Sequence, residues 1–156
     1  MFNEVNGLPV HILVLHAAVV FVPLLALGAV AYGFVARWRP KIGWAVAFLA
    51  VVAPVSTLVS KLSGTELYNN RFSTVKGTGK EILEHHMSYA NMAWWFSLAL
   101  GVLTLIMVAL TFRNARALPK VADLVYAVVL LALAAANGYY IYKTGDTGAT
   151  AAWGSY

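Results

Sequence analysis

The stretch Gly7-Leu8-Pro9-Val10-His11-Ile12-Leu13-Val14-Leu15-His16 opens an apolar run that reaches Ala36 without a charged side chain. A helix needs about 20 such residues to cross about 30 Å of hydrocarbon. Only helices and closed barrels satisfy their own backbone in lipid, and the run lacks the alternation of a barrel strand. It therefore reads as a transmembrane helix. Pro9 suits its first turn, where a missing N–H costs nothing. Ionisable groups are costly in or near hydrocarbon, so His11 and His16 are candidates for function. They lie five residues apart, about 140° around a helix. They do not form a chelating pair on one face, and each needs partners elsewhere.

Three further apolar runs follow, Ile42–Leu62, Met87–Phe112 and Val121–Tyr142. Thr78-Gly79-Lys80-Glu81 has capping-box spacing, with Thr78 as N-cap, and starts the third helix before the membrane. The expected fold is an all-α integral membrane bundle of four up-down helices forming one domain over 1–156. The helices span about 9–36, 42–62, 79–112 and 121–142, with an outer segment at 63–86. Composition agrees: 61% of residues are hydrophobic and 11% charged, against about 25% charged in soluble domains. The net charge of +5 sits in the connections, so no nucleic-acid partner is implied. The absence of cysteine excludes disulfides, thiolate metal sites, iron–sulfur ligation and covalent haem attachment. The first run is too long for a signal-peptide core and lacks a basic lead, so it is expected to be retained.

The connections set the orientation. Arg37, Arg39 and Lys41 fill the first, and Arg113, Arg116 and Lys120 the third, with no acid in either. The positive-inside rule then puts both termini and the 63–86 segment on the outer side. Trp38, Trp44, Trp94 and Trp95 suit an interfacial belt. Pro23 and Pro54 fall inside helices one and two at similar depth, where proline kinks a helix.

Counting from the inner basic residues at about 1.5 Å per residue ranks the polar side chains by height. His11 stands 26 residues from Arg37, His86 27 from Arg113, Asp146 26 from Lys120 and Glu66 25 from Lys41. His16 and Asn91 lie just below, and Ser56, Ser60 and Asn137 deeper. Two chemistries suit this layer. Imidazoles from two helices can ligate haem b iron, with His16 and His86 as the ligands. Alternatively His11 and His86, completed by Glu66 or Asp146, can hold a transition-metal ion. The competing reading is a histidine layer that hydrogen-bonds loops and headgroups. His85 is expected to face away, since adjacent helical residues diverge by about 100°.

No Ser-His-Asp or metalloprotease spacing occurs, so no catalytic residue is assigned and an enzyme is not expected. Gly145-Asp146-Thr147-Gly148 lacks the following Lys-Ser/Thr and the βα setting of a phosphate loop. A glycine turn ending the fourth helix is expected there. Apart from His16 the spans are expected to lack buried charges, and they show no paired broken repeats, which argues against a transport pathway.

The chain resembles a family of small bacterial membrane proteins, the domain of unknown function 2231 family, in its actinobacterial-type branch. The resemblance rests on Asn6-Gly7-Leu8-Pro9-Val10-His11 followed by His16 and on Glu84-His85-His86. It extends to Tyr142-Lys143-Thr144-Gly145-Asp146-Thr147-Gly148-Ala149 with Trp153-Gly154. Ile12 stands where family members commonly have proline. Similar domains joined to Rieske-type iron–sulfur domains imply a setting near membrane electron transfer. The expectation is a multi-pass protein of the bacterial cytoplasmic membrane, redox-associated, with a haem or metal site near His11, His16 and His86. The alternative is a structural accessory subunit of a larger respiratory or transport complex.

Overall fold

The computed structural model describes residues 4–5, 8–115 and 118–154. A two-residue antiparallel ladder, β1 (Glu4–Val5) with β2 (Leu8–Pro9), leads into α1 (Val10–Phe34). A short 3-10 turn, Ala36–Trp38, joins α1 to α2 (Arg39–Leu67). Then come α3 (Thr78–Thr111) and α4 (Lys120–Trp153). All four helices are long and apolar enough to cross a membrane. The protein is a four-helix membrane bundle. α1 and α3 each pack against both α2 and α4, and face each other across the diagonal.

The core is narrow, and large apolar side chains such as Leu27, Trp44 and Val121 face outward. In lipid such residues gain nothing by burial, so helices associate through small residues that admit close backbone contact. A methyl group placed on Gly33 of α1 falls 3.1 Å from Cα of Ala127 on α4. Pro54 has no N–H for the carbonyl of Ala50, one turn earlier. Gly101 of α3 packs against that carbonyl, and a methyl group there falls 2.5 Å from it. The proline and the glycine thus form one close crossing of α2 and α3.

Two helices run past their expected ends. α2 continues through Ser63 and Gly64 to Leu67 and closes in a π-helical turn, Tyr68–Phe72. The glycine turn expected at Gly145–Gly148 is absent, and α4 passes through it to Trp153. The hydroxyls of Thr144, Thr147 and Thr150 donate to the carbonyls of Tyr140, Lys143 and Asp146, one turn back along this glycine-rich stretch. The capping box also gives way. Gly77, not Thr78, is the N-cap of α3, and no side chain caps it. Its backbone, at φ 65° and ψ −147°, lies where essentially only glycine is at ease. Residues 69–78 remain almost entirely exposed, as expected of the longest connection.

Arg39 is not a free basic residue of the first connection. It is 2% exposed. Its Nε donates to the carbonyl of Tyr32 at 2.9 Å, and its two Nη atoms donate to Gly33, Ala115 and Asp123. The Asp123 contact is an ion pair of 2.6 Å between α2 and α4. One guanidinium thereby ties the end of α1, the third connection and α4. Beside it the Thr111 hydroxyl donates to Met107, so the Tyr32 hydroxyl donates to Thr111 at 2.7 Å, linking α1 and α3.

Candidate functional site

The opposite end of the bundle carries the histidines. His11 sits in the first turn of α1 and His86 in the third turn of α3. The two rings meet across the diagonal with centroids 6.3 Å apart and planes at 90°. They are the two sequence candidates that the fold brings together.

Each ring is held in the same way by the helix that follows its own. Nδ1–H of His11 donates to the carbonyl of Ser60 on α2 at 2.9 Å, with the Ser63 hydroxyl oxygen at 3.4 Å. Nδ1–H of His86 donates to the carbonyl of Thr144 on α4 at 2.9 Å, with the Thr147 hydroxyl oxygen at 3.4 Å. Ser63 in turn donates to the Ser60 carbonyl at 3.0 Å, and Thr147 to the Lys143 carbonyl at 2.7 Å with the Thr144 carbonyl at 3.2 Å, so each hydroxyl offers a lone pair to its ring. Next in each helix comes a glycine. A methyl group on Gly64 falls 2.9 Å from Cε1 of His11, and one on Gly148 falls 3.0 Å from Cε1 of His86. Both glycines leave space that the imidazoles fill.

A carbonyl oxygen only accepts, so each Nδ1 must carry a proton. In the neutral ring this leaves the lone pair on Nε2. Neither Nε2 has a hydrogen-bond partner among the described residues. Histidines that ligate metals through one nitrogen usually donate from the other to a carbonyl or carboxylate, and the present pair has that arrangement.

The remaining candidates lie apart from this pair. His16 is exposed on α1, and its Nδ1–H donates to the Ile12 carbonyl one turn back at 2.7 Å. His85 is exposed and stacks on Tyr89, with centroids 6.3 Å apart. Glu66 and Asp146 are exposed as well. Among the described residues, no three of His, Asp, Glu or Cys gather as a metal-ligating group. Asn91 accepts a hydrogen bond from Lys61 at 2.7 Å, and the Lys61 ammonium also lies 4.6 Å over the Trp94 ring.

Sequence reasoning passed over Ser60, Ser63, Gly64, Thr144, Thr147 and Gly148 as a set. The signal was present as a hydroxyl residue, two others, a second hydroxyl residue and glycine, written once at Ser60–Gly64 and again at Thr144–Gly148.

The sequence profile of a family described as a predicted membrane protein (DUF2231) matches residues 7–155. No curated protein and no solved structure matches the chain. The matched span takes in both histidines, both hydroxyl–glycine segments and all four helices, so the chain belongs to the DUF2231 family of membrane proteins.

Proposed function

We propose that this protein holds a transition-metal ion between His11 and His86 at the outer face of the bacterial cytoplasmic membrane, in a redox-associated role. The observation that carries the reading is the matched pair of imidazoles, each anchored through Nδ1–H and each with an unbonded Nε2. Among the described residues, no other two histidine rings meet in this way. Arg37, Lys41, Arg113 and Lys120 gather at the other end, which supports an outward-facing site by the positive-inside rule.

The arrangement favours an ion over haem b. α2 and α4 press on the rings at Gly64 and Gly148. A macrocycle between them would displace both helix backbones. His16, the alternative haem ligand, is exposed on α1.

The test is metal analysis and absorption spectroscopy of the protein purified in detergent from its own membranes. About one ion per chain and no Soret band are expected, with the ion lost in His11→Ala and His86→Ala and kept in His16→Ala. A Soret band lost in His16→Ala, or wild-type protein without stoichiometric metal, overturns the reading.

One observation supports the structural-subunit alternative. α4 exposes Ala135, Gly138, Gly145 and Ala149 on one face, with the exposed Tyr142 between the two glycines, and nothing lies within 4 Å of where a Cβ would stand on Gly138 or Gly145. Such a face admits a close helix from a respiratory neighbour. Under this alternative, Gly138→Leu releases membrane proteins that co-purify with the wild type, and His11→Ala does not.

A further inference from the structure

The two halves of the bundle repeat one another. The 75-residue shift that carries His11 onto His86 also carries Ala18, Val22, Leu25, Ala29, Tyr32 and Gly33 onto Ala93, Ser97, Leu100, Thr104, Met107 and Val108. All twelve residues are buried. The 84-residue shift that carries Ser60 onto Thr144 also carries the buried Val46, Ala50 and Ala53 onto Leu130, Ala134 and Asn137, again buried. The same shift takes Arg39 to Asp123, its own ion-pair partner. In an up-down bundle α1 and α3 run the same way, as do α2 and α4. The α1–α2 and α3–α4 hairpins are therefore related by an approximate twofold axis along the bundle, a parallel repeat of the kind known in membrane proteins.

Equivalent residues in contact must straddle that axis. His11 with His86 does so at one end, and Arg39 with Asp123 at the other. The metal site proposed above is then a doubled half-site, and its donors come in equivalent pairs. The imidazoles are one pair. Ser63 and Thr147 are another, but their hydroxyls face Nδ1 and donate to helix carbonyls. Glu66 and Asp146 are not a pair, since their equivalents are Thr150 and Leu62.

We infer that the site takes a soft monovalent d10 cation in two-coordinate form, Cu(I), in preference to Zn(II). This rests on the metal reading and narrows it. Zinc in protein sites takes four ligands, or three and an open position, in tetrahedral geometry. Here two imidazoles meet, and among the described residues no third His, Asp, Glu or Cys joins them. Two neutral donors leave a divalent ion with twice the uncompensated charge of a monovalent one, at the edge of a medium where charge is costly. Distance agrees. With metal–nitrogen bonds of about 2.0 Å and rings about 1.1 Å in radius, centroids stand about 6.2 Å apart for opposed ligands and about 5 Å for tetrahedral ones. The observed separation of 6.3 Å leaves room for the opposed arrangement and exceeds the tetrahedral one.

The experiment uses the full chain in detergent, without oxygen. Cu(I) is presented as its bicinchoninate complex, Zn(II) is titrated separately, and the copper-loaded protein is examined by X-ray absorption. One Cu(I) per chain is expected, with two nitrogen neighbours and no third ligand, and with Zn(II) bound more weakly by more than tenfold. Loss of either histidine should weaken Cu(I) binding by more than about 100-fold, since losing a supporting hydrogen bond alone costs about 10–100-fold. The wild-type absorption spectrum stands whether or not the variants fold. Zn(II) binding as tight as Cu(I), or copper with three or more protein ligands, overturns this inference and leaves the metal reading intact. Binding of neither ion overturns both.

Discussion

Gly64 and Gly148 act on the site through the side chain they lack. A methyl group on Gly64 would fall 2.9 Å from the His11 Cε1, closer than real Cβ atoms come, and one on Gly148 3.0 Å from the His86 Cε1, tighter than nearly all such contacts. The ring must then swing away, and its Nδ1–H leaves the Ser60 or Thr144 carbonyl. Because the two half-sites are equivalent, Gly64→Ala and Gly148→Ala should weaken metal binding by similar factors, about 10–100-fold each. The check is a metal-binding titration of both variants beside Gly145→Ala, whose added methyl meets nothing within 4 Å. A large effect in only one of the two, or an equal effect in Gly145→Ala, contradicts the doubled site. The histidines themselves were legible in the sequence, because an ionisable residue at the mouth of an apolar run is conspicuous. Their partners were not. Backbone carbonyls carry no sequence signature, and a glycine beside threonines reads locally as a turn.

At the scale of the element, α3 begins on backbone geometry and not on a side-chain cap. Thr78 makes no capping hydrogen bond, whereas Gly77 turns the chain at positive φ. Thr78→Ala should therefore change thermal stability by less than about 0.5 kcal/mol, below the usual N-cap cost of about 0.5–2 kcal/mol. Gly77→Ala should cost about 1–3 kcal/mol, the range for a residue held in a sparsely populated backbone region. Unfolding of both variants in one detergent decides it, and the reverse order restores the capping box. The four spans were readable because length and apolarity alone specify a helix in lipid. Helix ends were less so. α2 and α4 extend beyond their apolar runs through polar, glycine-containing turns, and hydropathy is blind to these. The half-to-half repeat escaped for a related reason. Identities such as Phe21 with Phe96, Leu25 with Leu100 and Gly64 with Gly148 are few, and what repeats is the pattern of burial.

On the scale of the whole molecule, the imidazoles meet across one diagonal at one end, and Arg39 pairs with Asp123 across the other diagonal at the opposite end. Arg39→Ala leaves the Asp123 carboxylate without its partner and three carbonyls without their donor. Breaking a buried pair in this way costs about 3–5 kcal/mol. Arg39→Lys should recover little, since one ammonium cannot reproduce a planar fork spread over Tyr32, Gly33, Ala115 and Asp123. Thermal unfolding of both variants tests this, and a lysine variant as stable as the wild type contradicts it. The clamp explains how a bundle with so narrow a core keeps its four helices in register, and so holds His11 and His86 opposite each other. Nitrogen-15 resonances of the histidine rings test that opposition most directly. On adding one equivalent of Cu(I) to the wild-type protein, Nε2 of His11 and of His86 should shift together, while both nitrogens of His16 and His85 stay in place. Unmoved His11 and His86 resonances, or a shift confined to His16 or His85, would contradict the account.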